Sequence, residues 1–234
     1  MIYGHIVCHN EWPDILRAIE SLFVFCDKIL ICYGGKPDTE MRKFLEDRRD
    51  IYHLEIYDNP FKTVLEQRQL LLDHTPRNSW VACLDPDEKY SLLIMYGIRK
   101  YLSRIDPAIY TDPKRKVPIV VPICCHNLTG DILHYDGDGV YHYMKFFYFD
   151  KDLEWYAADS GDFHAHIAYK SQKDKGVNYL LTPINGFAIL HYARLCPDRL
   201  RWRRSKKGNP KFGYTEGAWE EEILARVGLP EECQ

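Results

Sequence analysis

The sequence predicts an α/β protein in which a mostly parallel sheet is flanked by helices. Three observations support this fold class. Short apolar segments rich in β-branched residues alternate with segments of helical periodicity over residues 2–84. The helical segments are long enough to cross back over a sheet between parallel strands, and each predicted strand ends in a polar loop. The length of 234 residues suits one compact domain, 1–234.

The first half is predicted to fold as β-α-β-α-β-α-β. Its strands are predicted at 2–8, 28–32, 51–57 and 80–84. Pro13 suits the first turn of the first helix, because its missing N–H costs nothing there. The three helices are marked by apolar residues at helical spacing: Ile15, Leu16, Ile19, Leu22 and Phe23; Met41, Phe44 and Leu45; Val64, Leu65, Leu71 and Leu72. In such sheets ligands bind outside the carboxyl ends of the strands, so the loops there are candidate binding loops.

The second half, 106–234, has a different character from 1–105. A helix is predicted over 91–102, and short strands rich in aromatic residues and histidine follow it. The elements predicted beyond that point are a hairpin turn at 135–140, strands at 141–149 and 187–191, and a helix at 215–227. We therefore expect a mixed, β-rich half fused to the parallel half.

Composition excludes several classes of protein. The formal net charge of −3 gives no bulk electrostatic reason to bind nucleic acid. No apolar run is long enough to span a bilayer, and the amino terminus lacks the layout of a secretion signal. The eight cysteines form no CxxC pair, which favours buried reduced thiols over disulfides or a zinc site. A cytoplasmic location is expected on these grounds.

The loop after the fourth predicted strand is the most informative segment. Asp85-Pro86-Asp87-Glu88 places three carboxylates within four residues, directly after a buried strand. Such a cluster destabilises the fold unless a cation or hydrogen-bond donors compensate it. A hard divalent ion such as Mg²⁺ is a natural compensator and keeps sites open for substrate phosphates. The alternative is a solvated acidic turn that helps the next helix begin.

Four segments together resemble the family 2 glycosyltransferases, which have the GT-A fold, a Rossmann-like α/β architecture. They are His9-Asn10-Glu11 after the first strand, Gly34-Gly35 after the second, Gln67-Arg68-Gln69 in the third helix, and Asp85-Pro86-Asp87-Glu88 at the place of the Asp-x-Asp motif. Their order and spacing agree with the family over about residues 3–90.

The resemblance implies a metal-dependent transfer of a sugar from a nucleoside diphosphate sugar to an acceptor hydroxyl. Residues 1–105 would bind the donor, and 106–234 would shape the acceptor side. His9 and Glu11 would line the nucleoside site, Asp85 would lie near the ribose and the metal, and Asp87 would be the firmer ligand of Mn²⁺ or Mg²⁺. Arg68 would face the diphosphate or order the acidic loop, although a surface ion pair with an acidic residue explains it equally well.

Tyr33 departs from the family pattern. The family usually has an acidic residue at this place, where it helps to hold the base or ribose. A tyrosine could instead stack on the base. The change leaves the identity of the nucleotide open and also admits a non-catalytic member of the family.

The catalytic base and a third metal ligand are expected in the second half. Inverting transfer needs a base that takes the acceptor proton, and Asp162 and Asp159 are the candidates, with Asp162 preferred because it lies near His164 and His166. An ordinary turn explains 159–162 equally well. The resemblance also implies that His191, at the end of an apolar strand, is a metal ligand.

Six cations fall within residues 199–207, and they leave the acceptor open. They could form a solvated face, fold over the diphosphate, or contact a polyanionic acceptor. The acceptor is left open among a glycan, a protein and, less favoured, a modified nucleic-acid base. Two other functions also remain open, namely a nucleotidyltransferase and a nucleotide-binding module with the same fold but no turnover.

Overall fold

The computed structural model describes residues 1–8, 15–35, 39–58, 63–105, 107, 118–121, 123–127, 141–143, 145–150, 153–157, 165–169, 180–181 and 188–191. Its helices are α1 (Ile15–Phe23), α2 (Glu40–Asp47), α3 (Val64–Asp73) and α4 (Leu92–Leu102). Its strands are β1 (Ile2–Cys8), β2 (Lys28–Tyr33), β3 (Leu54–Asp58), β4 (Ser79–Leu84), β5 (Glu88–Tyr90), β6 (Ile119–Val120), β7 (Ile123–Asn127), β8 (Tyr141–Tyr143), β9 (Phe146–Phe149), β10 (Leu153–Ala157), β11 (Ala165–Tyr169), β12 (Leu180–Leu181) and β13 (Ala188–His191).

A seven-stranded sheet forms the centre of the molecule, with the strand order β12-β6-β9-β4-β1-β2-β3. The pairs β4–β1, β1–β2 and β2–β3 are parallel, whereas β9 runs antiparallel to both β4 and β6. The predicted mostly parallel α/β fold is thereby confirmed. The carboxyl ends of β1 to β4 meet at one edge, where the predicted binding loops begin.

Helices cover both faces of this sheet because successive side chains of a strand point to opposite faces. On β1, Ile6 packs in the large core cluster that contains α1, α2 and α4, whereas Tyr3 and Val7 pack with Leu71 of α3. The approach of α1 is close, since a Cβ on Gly4 would lie 3.0 Å from Leu22 Cδ1. Of the described helices, α3 is the one that packs on the sheet face of Tyr3 and Val7.

The second half contributes strands to the central sheet as well as to two smaller sheets. Strands β5, β13, β7 and β8 form a four-stranded sheet in that order, and β10 pairs with β11 as an antiparallel hairpin. The strands β6, β9 and β12, all beyond residue 105, extend the central sheet. The predicted boundary near residue 105 thus does not separate two sheets, and the division into a donor half and an acceptor half stays a prediction.

Two strand predictions are wrong in detail. The third strand begins at Leu54 and not at residue 51, because Ile51 is 62% exposed in a turn and His53 has a left-handed φ of 54°. The aromatic segment 141–149 forms two strands in different sheets, β8 and β9, and Lys145 lies between them. A strand at 88–90 was not predicted.

The prediction of buried reduced thiols is confirmed for the described part of the chain. Cys8, Cys26, Cys32, Cys83 and Cys125 are buried and lie outside any disulfide, and so does the half-buried Cys124. Burial raises the pKa of the Cys83 thiol to about 12. The cytoplasmic location itself stays a prediction. None of the described helices combines the length and the apolar character needed to cross a membrane.

Several predicted elements lie outside the described residues. They are Pro13, the hairpin turn at 135–140, the basic stretch at 199–207 and the helix at 215–227.

Candidate functional site

The acidic segment at the end of β4 forms a closed β-turn. The Glu88 backbone N–H donates to the Asp85 carbonyl at 3.0 Å, and the Asp85 N–H donates to Glu88 Oε2 at 2.8 Å. Pro86 fits the second position of such a turn because its φ is already fixed. Asp87 and Glu88 are only 4% and 3% exposed, so this is not a solvated surface turn.

Arg68 orders the acidic turn from the α3 side of the sheet. Its Nη2 donates to Asp85 Oδ1 at 2.6 Å, and its side chain is 12% exposed. Burial by itself would lower the pKa of the Arg68 guanidinium, but the negative charges near it, first that of Asp85, raise it overall. The contact with Asp85 is the one expected if Arg68 orders the acidic loop, and the role facing the diphosphate stays a prediction.

Lys145 compensates the charge of the acidic turn from the neighbouring chain segment that enters β9, the strand paired with β4. It precedes β9, and its carbonyl accepts the Cys83 N–H at 2.7 Å, which fixes its backbone beside the end of β4. Its Nζ donates to Asp85 Oδ2 at 2.8 Å and to Glu88 Oε2. Burial lowers the pKa of Lys145, but Asp85 and Glu88 more than offset this, so the pKa is raised and the ammonium stays charged.

The carboxylate charge of the turn is therefore largely balanced inside the protein. Two of its three carboxylates, those of Asp85 and Glu88, pair with the cations of Arg68 and Lys145. The sequence predicted that a cation or donors must compensate the cluster, and for Asp85 and Glu88 the compensating groups are side chains. Lys145 was missed, although an isolated lysine within an aromatic, strand-forming segment is a signal, because a buried lysine needs a carboxylate partner.

His191 lies beside the acidic turn in the strand pairing. Strand β13 pairs antiparallel with β5, and His191 is directly opposite Glu88, the residue after Asp87. Residues paired in this way have Cα atoms about 4.5–5.5 Å apart. The fold thus brings the backbone of His191 next to the acidic turn. Its role as a metal ligand stays a prediction.

Tyr33 ends β2 with its side chain in the core. The ring is 1% exposed, and the hydroxyl forms a hydrogen bond with Thr39 Oγ1, the N-cap residue of α2. A Cβ at Gly35 would collide with this ring, which gives the glycine at that turn a packing reason. The Tyr33 side chain therefore packs against Gly35 and Thr39, which flank the turn after β2. Its predicted place in the nucleotide site stays a prediction.

The remaining predicted site residues lie outside the described residues, but their flanking strands are placed. Ile6 of β1 pairs with Leu84 of β4, so the chain leaves β1 towards His9 and Glu11 at the edge that holds the acidic turn. Asp159 and Asp162 belong to the connection between β10 and β11, whose ends Ala157 and Ala165 are paired.

Strand β10 packs against the helix that carries Arg68. The Trp155 backbone N–H donates to Gln69 Oε1 at 2.9 Å, and the Trp155 ring lies 5.2 Å from the Arg68 guanidinium. Strand β10 is therefore anchored on α3, the helix whose Arg68 binds Asp85. The predicted base residues follow β10 in the sequence and lie outside the described residues.

A buried histidine that the sequence did not single out lies on the α3 face of the sheet. His5 of β1 shares a hydrogen bond with Thr75 Oγ1 at 2.7 Å through its Nε2, and Thr75 in turn donates to the Leu71 carbonyl. Because Thr75 uses its proton there, the His5 Nε2 is the donor. Burial, with help from the charge of Arg68, lowers the pKa of His5 to about 3.

The contacts of Asp85 oppose a divalent ion on that carboxylate. Both oxygens of the Asp85 carboxylate already accept hydrogen bonds from cations, which opposes a further positive charge there. Among the side chains that the structure describes, no three His, Cys, Asp or Glu residues group closely enough to hold a metal ion. An ion would therefore be held by Asp87 together with groups beyond those side chains.

Comparison with solved structures places the fold. The chain resembles S. aureus TarS, a glycosyltransferase, with a TM-score of 0.53 and 12% identity over 96% of this chain and 42% of TarS. A structure of TarS residues 1–349 gives a TM-score of 0.48 at 12% identity, over 96% of this chain and 69% of that one. A putative glucose-1-phosphate thymidylyltransferase from Bacillus anthracis, in complex with a sucrose, gives 0.44 at 9% identity, over 94% and 99%.

The likeness to TarS shows a GT-A-type fold, and at this identity it shows the fold alone. The chain spans less than half of the TarS chain that it matches. No protein-family model matches the sequence, and no curated protein matches it either.

Proposed function

We propose that this chain is a glycosyltransferase that moves a sugar from a nucleoside diphosphate sugar to an acceptor hydroxyl, with inversion at the sugar. The observation that carries the proposal is the acidic turn Asp85–Glu88, ordered by Arg68 and Lys145 at the carboxyl edge of the sheet. That edge is where ligands of open α/β sheets bind. The GT-A-type fold supports the same reading.

The donor would lie over the ends of β1, β2 and β4. In this proposal His9 and Glu11 line the nucleoside site, with Asp85 near the ribose, Arg68 behind it and Tyr33 beneath the neighbouring turn. Asp87 and His191 would hold Mn²⁺ or Mg²⁺. The carboxylate oxygen suits either ion, and the imidazole is a ligand that Mn²⁺ accepts. When bound, the ion would neutralise charge on the diphosphate leaving group.

The chain's own residues would position the donor and move the acceptor proton. Arg68 and Lys145 hold Asp85 between them, so its carboxylate is oriented before a ligand arrives. Asp162 or Asp159, on the connection between β10 and β11, would take the proton from the acceptor hydroxyl. The contact of Trp155 with Gln69 holds β10, the strand before that connection, against α3.

The acceptor could be a glycan, a protein or a modified nucleic-acid base that contacts residues 199–207. One observation favours a second candidate, a nucleotide-binding module without turnover. Both Asp85 oxygens are engaged by cations, which opposes a metal ion on the first carboxylate of the Asp-x-Asp sequence.

Calorimetric titration with a panel of nucleoside diphosphates and their sugar conjugates, with and without Mn²⁺, separates these functions. Metal-dependent binding of a diphosphate, accompanied by slow hydrolysis of the matching sugar nucleotide, supports transfer. Binding without hydrolysis or transfer supports the module. Pyrophosphate release from a nucleoside triphosphate and a sugar phosphate would instead indicate a nucleotidyltransferase, and no binding at all would reject all three.

The substitution Asp87→Asn tests the metal assignment. It removes a charged oxygen ligand at nearly constant volume, so we expect at least a tenfold loss of Mn²⁺-dependent diphosphate binding with an unchanged circular dichroism spectrum. The matched control is Asp47→Asn at the exposed end of α2, which should bind like the wild type. Equal binding by both variants would contradict the assignment.

A further inference from the structure

The carboxylate cluster of the acidic turn already contains a cation that belongs to the chain. The Lys145 Nζ contacts Asp85 Oδ2 at 2.8 Å and also Glu88 Oε2, and the side chains of Lys145 and Glu88 are only 7% and 4% exposed. These two carboxylates are the first and last residues of the turn. One ammonium therefore bridges both ends of the segment that carries Asp87.

The backbone of Lys145 is held in place independently of the carboxylates. The Lys145 carbonyl accepts the Cys83 N–H at 2.7 Å and the Tyr90 hydroxyl at 3.2 Å. Cys83 lies in β4, just before the turn, and Tyr90 lies in β5, just after it. Lys145 is thus tied by its main chain to both strands that the turn connects, and by its side chain to the turn itself.

From these contacts we infer that Lys145 is a tethered cation. Its ammonium compensates the negative charge of the acidic turn, which a divalent ion would otherwise have to do. It is a positioning residue for Asp87 and not a catalytic one. Among the ion pairs that the structure describes, Lys145 joins both Asp85 and Glu88, whereas Arg68 joins Asp85 alone. Without Lys145 the buried Glu88 carboxylate loses this ammonium, and a divalent ion is the compensator that could take its place.

Two consequences follow. The turn is formed in the wild-type protein before any ligand or metal binds. A protein that lacks the Lys145 charge depends on divalent cations for stability, whereas the wild type does not. The inference concerns the residues of the proposed donor site, but its test needs neither a nucleotide nor turnover, so it can fail or succeed separately from the proposed function.

The experiment is a thermal-unfolding series on the full chain in EDTA, in millimolar Mg²⁺ and in millimolar Mn²⁺, without nucleotide. Lys145→Met keeps much of the side-chain volume and removes the charge. In EDTA we expect a melting temperature roughly 10 °C below that of the wild type, because the partners of a broken buried ion pair are left uncompensated. Either ion should restore at least half of this loss and should shift the wild type much less.

Two further variants keep the test decisive. Lys100→Met removes an exposed lysine of α4 and should behave like the wild type in all three solutions. Adding Glu88→Gln to Lys145→Met removes the buried carboxylate that has lost its ammonium partner, so the double variant should be more stable in EDTA than Lys145→Met alone. The higher stability of the double variant can be measured even where the single variant Lys145→Met is largely unfolded.

The inference is overturned by any of three results. The first is a Lys145→Met protein as stable in EDTA as the wild type. The second is a melting temperature that neither ion raises more in Lys145→Met than in the wild type. The third is a double variant no more stable than the single one.

Discussion

At the scale of single residues, the site is organised by the Asp85 carboxylate, which binds two cations, one on each oxygen. Asp85 receives Arg68 on Oδ1 and Lys145 on Oδ2, one from a helix and one from a strand on the other side of β4. Neither cation is adjacent to Asp85 in sequence. The orientation of this carboxylate therefore reports whether α3 and β9 are both correctly docked on β4.

His5 gives a prediction about the dependence of stability on pH. The folded protein keeps this ring neutral down to a pKa of about 3, whereas the unfolded chain protonates it below about 6.5. Between these values the unfolded state binds more protons, so the stability that the neutral ring contributes is complete above pH 6.5 and is lost as the pH falls towards 3. We expect His5 alone to lower the free energy of unfolding by roughly 2–3 kcal/mol between pH 7.5 and 4.5.

Urea unfolding of His5→Gln checks this. A glutamine can still donate to Thr75 but does not titrate, so its free energy of unfolding should fall less than that of the wild type over the same pH range. His53→Asn is the control, because His53 is exposed and its left-handed φ of 54° suits asparagine. Parallel pH curves for the wild type and His5→Gln would show that His5 is not the group responsible.

At the scale of elements, α3 connects most parts of the candidate site. It presents Arg68 to Asp85, it offers Gln69 to the Trp155 N–H of β10, and its last turn precedes Thr75, the partner of His5. Its first turn is fixed by a capping box in which Thr63 Oγ1 accepts the Glu66 N–H and the Glu66 carboxylate accepts the Thr63 N–H. Two otherwise unpaired N–H groups of the helix terminus are thereby satisfied.

Thr63→Ala should cost about 1 kcal/mol in the free energy of unfolding, because it removes the capping acceptor. Thr63→Ser keeps that acceptor and should cost much less. Both values can be measured by urea unfolding at neutral pH. If the two variants lose the same stability, the capping box does not stabilise α3.

The elements of the second half show what local sequence could not predict. Segment 141–149 has strand-forming residues throughout, yet β8 pairs with β7 and β9 pairs with β4, some 60 positions earlier in the chain. Strand propensity depends on such partners, and nothing within the segment itself identifies them. At 51–53 the apolar residues were read as strand, but Ile51 lies in an exposed turn.

At the scale of the whole molecule, the alternation of strands and helices predicted the parallel core because that core is built from neighbouring βαβ units. The predicted acidic turn lies at the carboxyl edge, and the pairing of β13 with β5 brings His191 there as well. What the sequence could not supply was Lys145, since its role exists only when β9 is inserted beside β4. The metal, the base and the acceptor stay predictions that this arrangement motivates.

The central claim is that the acidic turn at the end of β4 binds a metal ion and, through it, the diphosphate of the donor. The most direct test is anomalous diffraction from a crystal grown with Mn²⁺ and with a nucleoside diphosphate sugar that the protein binds in solution. We predict a single manganese peak in contact with the Asp87 carboxylate and the diphosphate, with Asp85 still held by Arg68 and Lys145. A nucleotide bound away from the carboxyl edge of β4, or bound there with no manganese near Asp87, would contradict the claim.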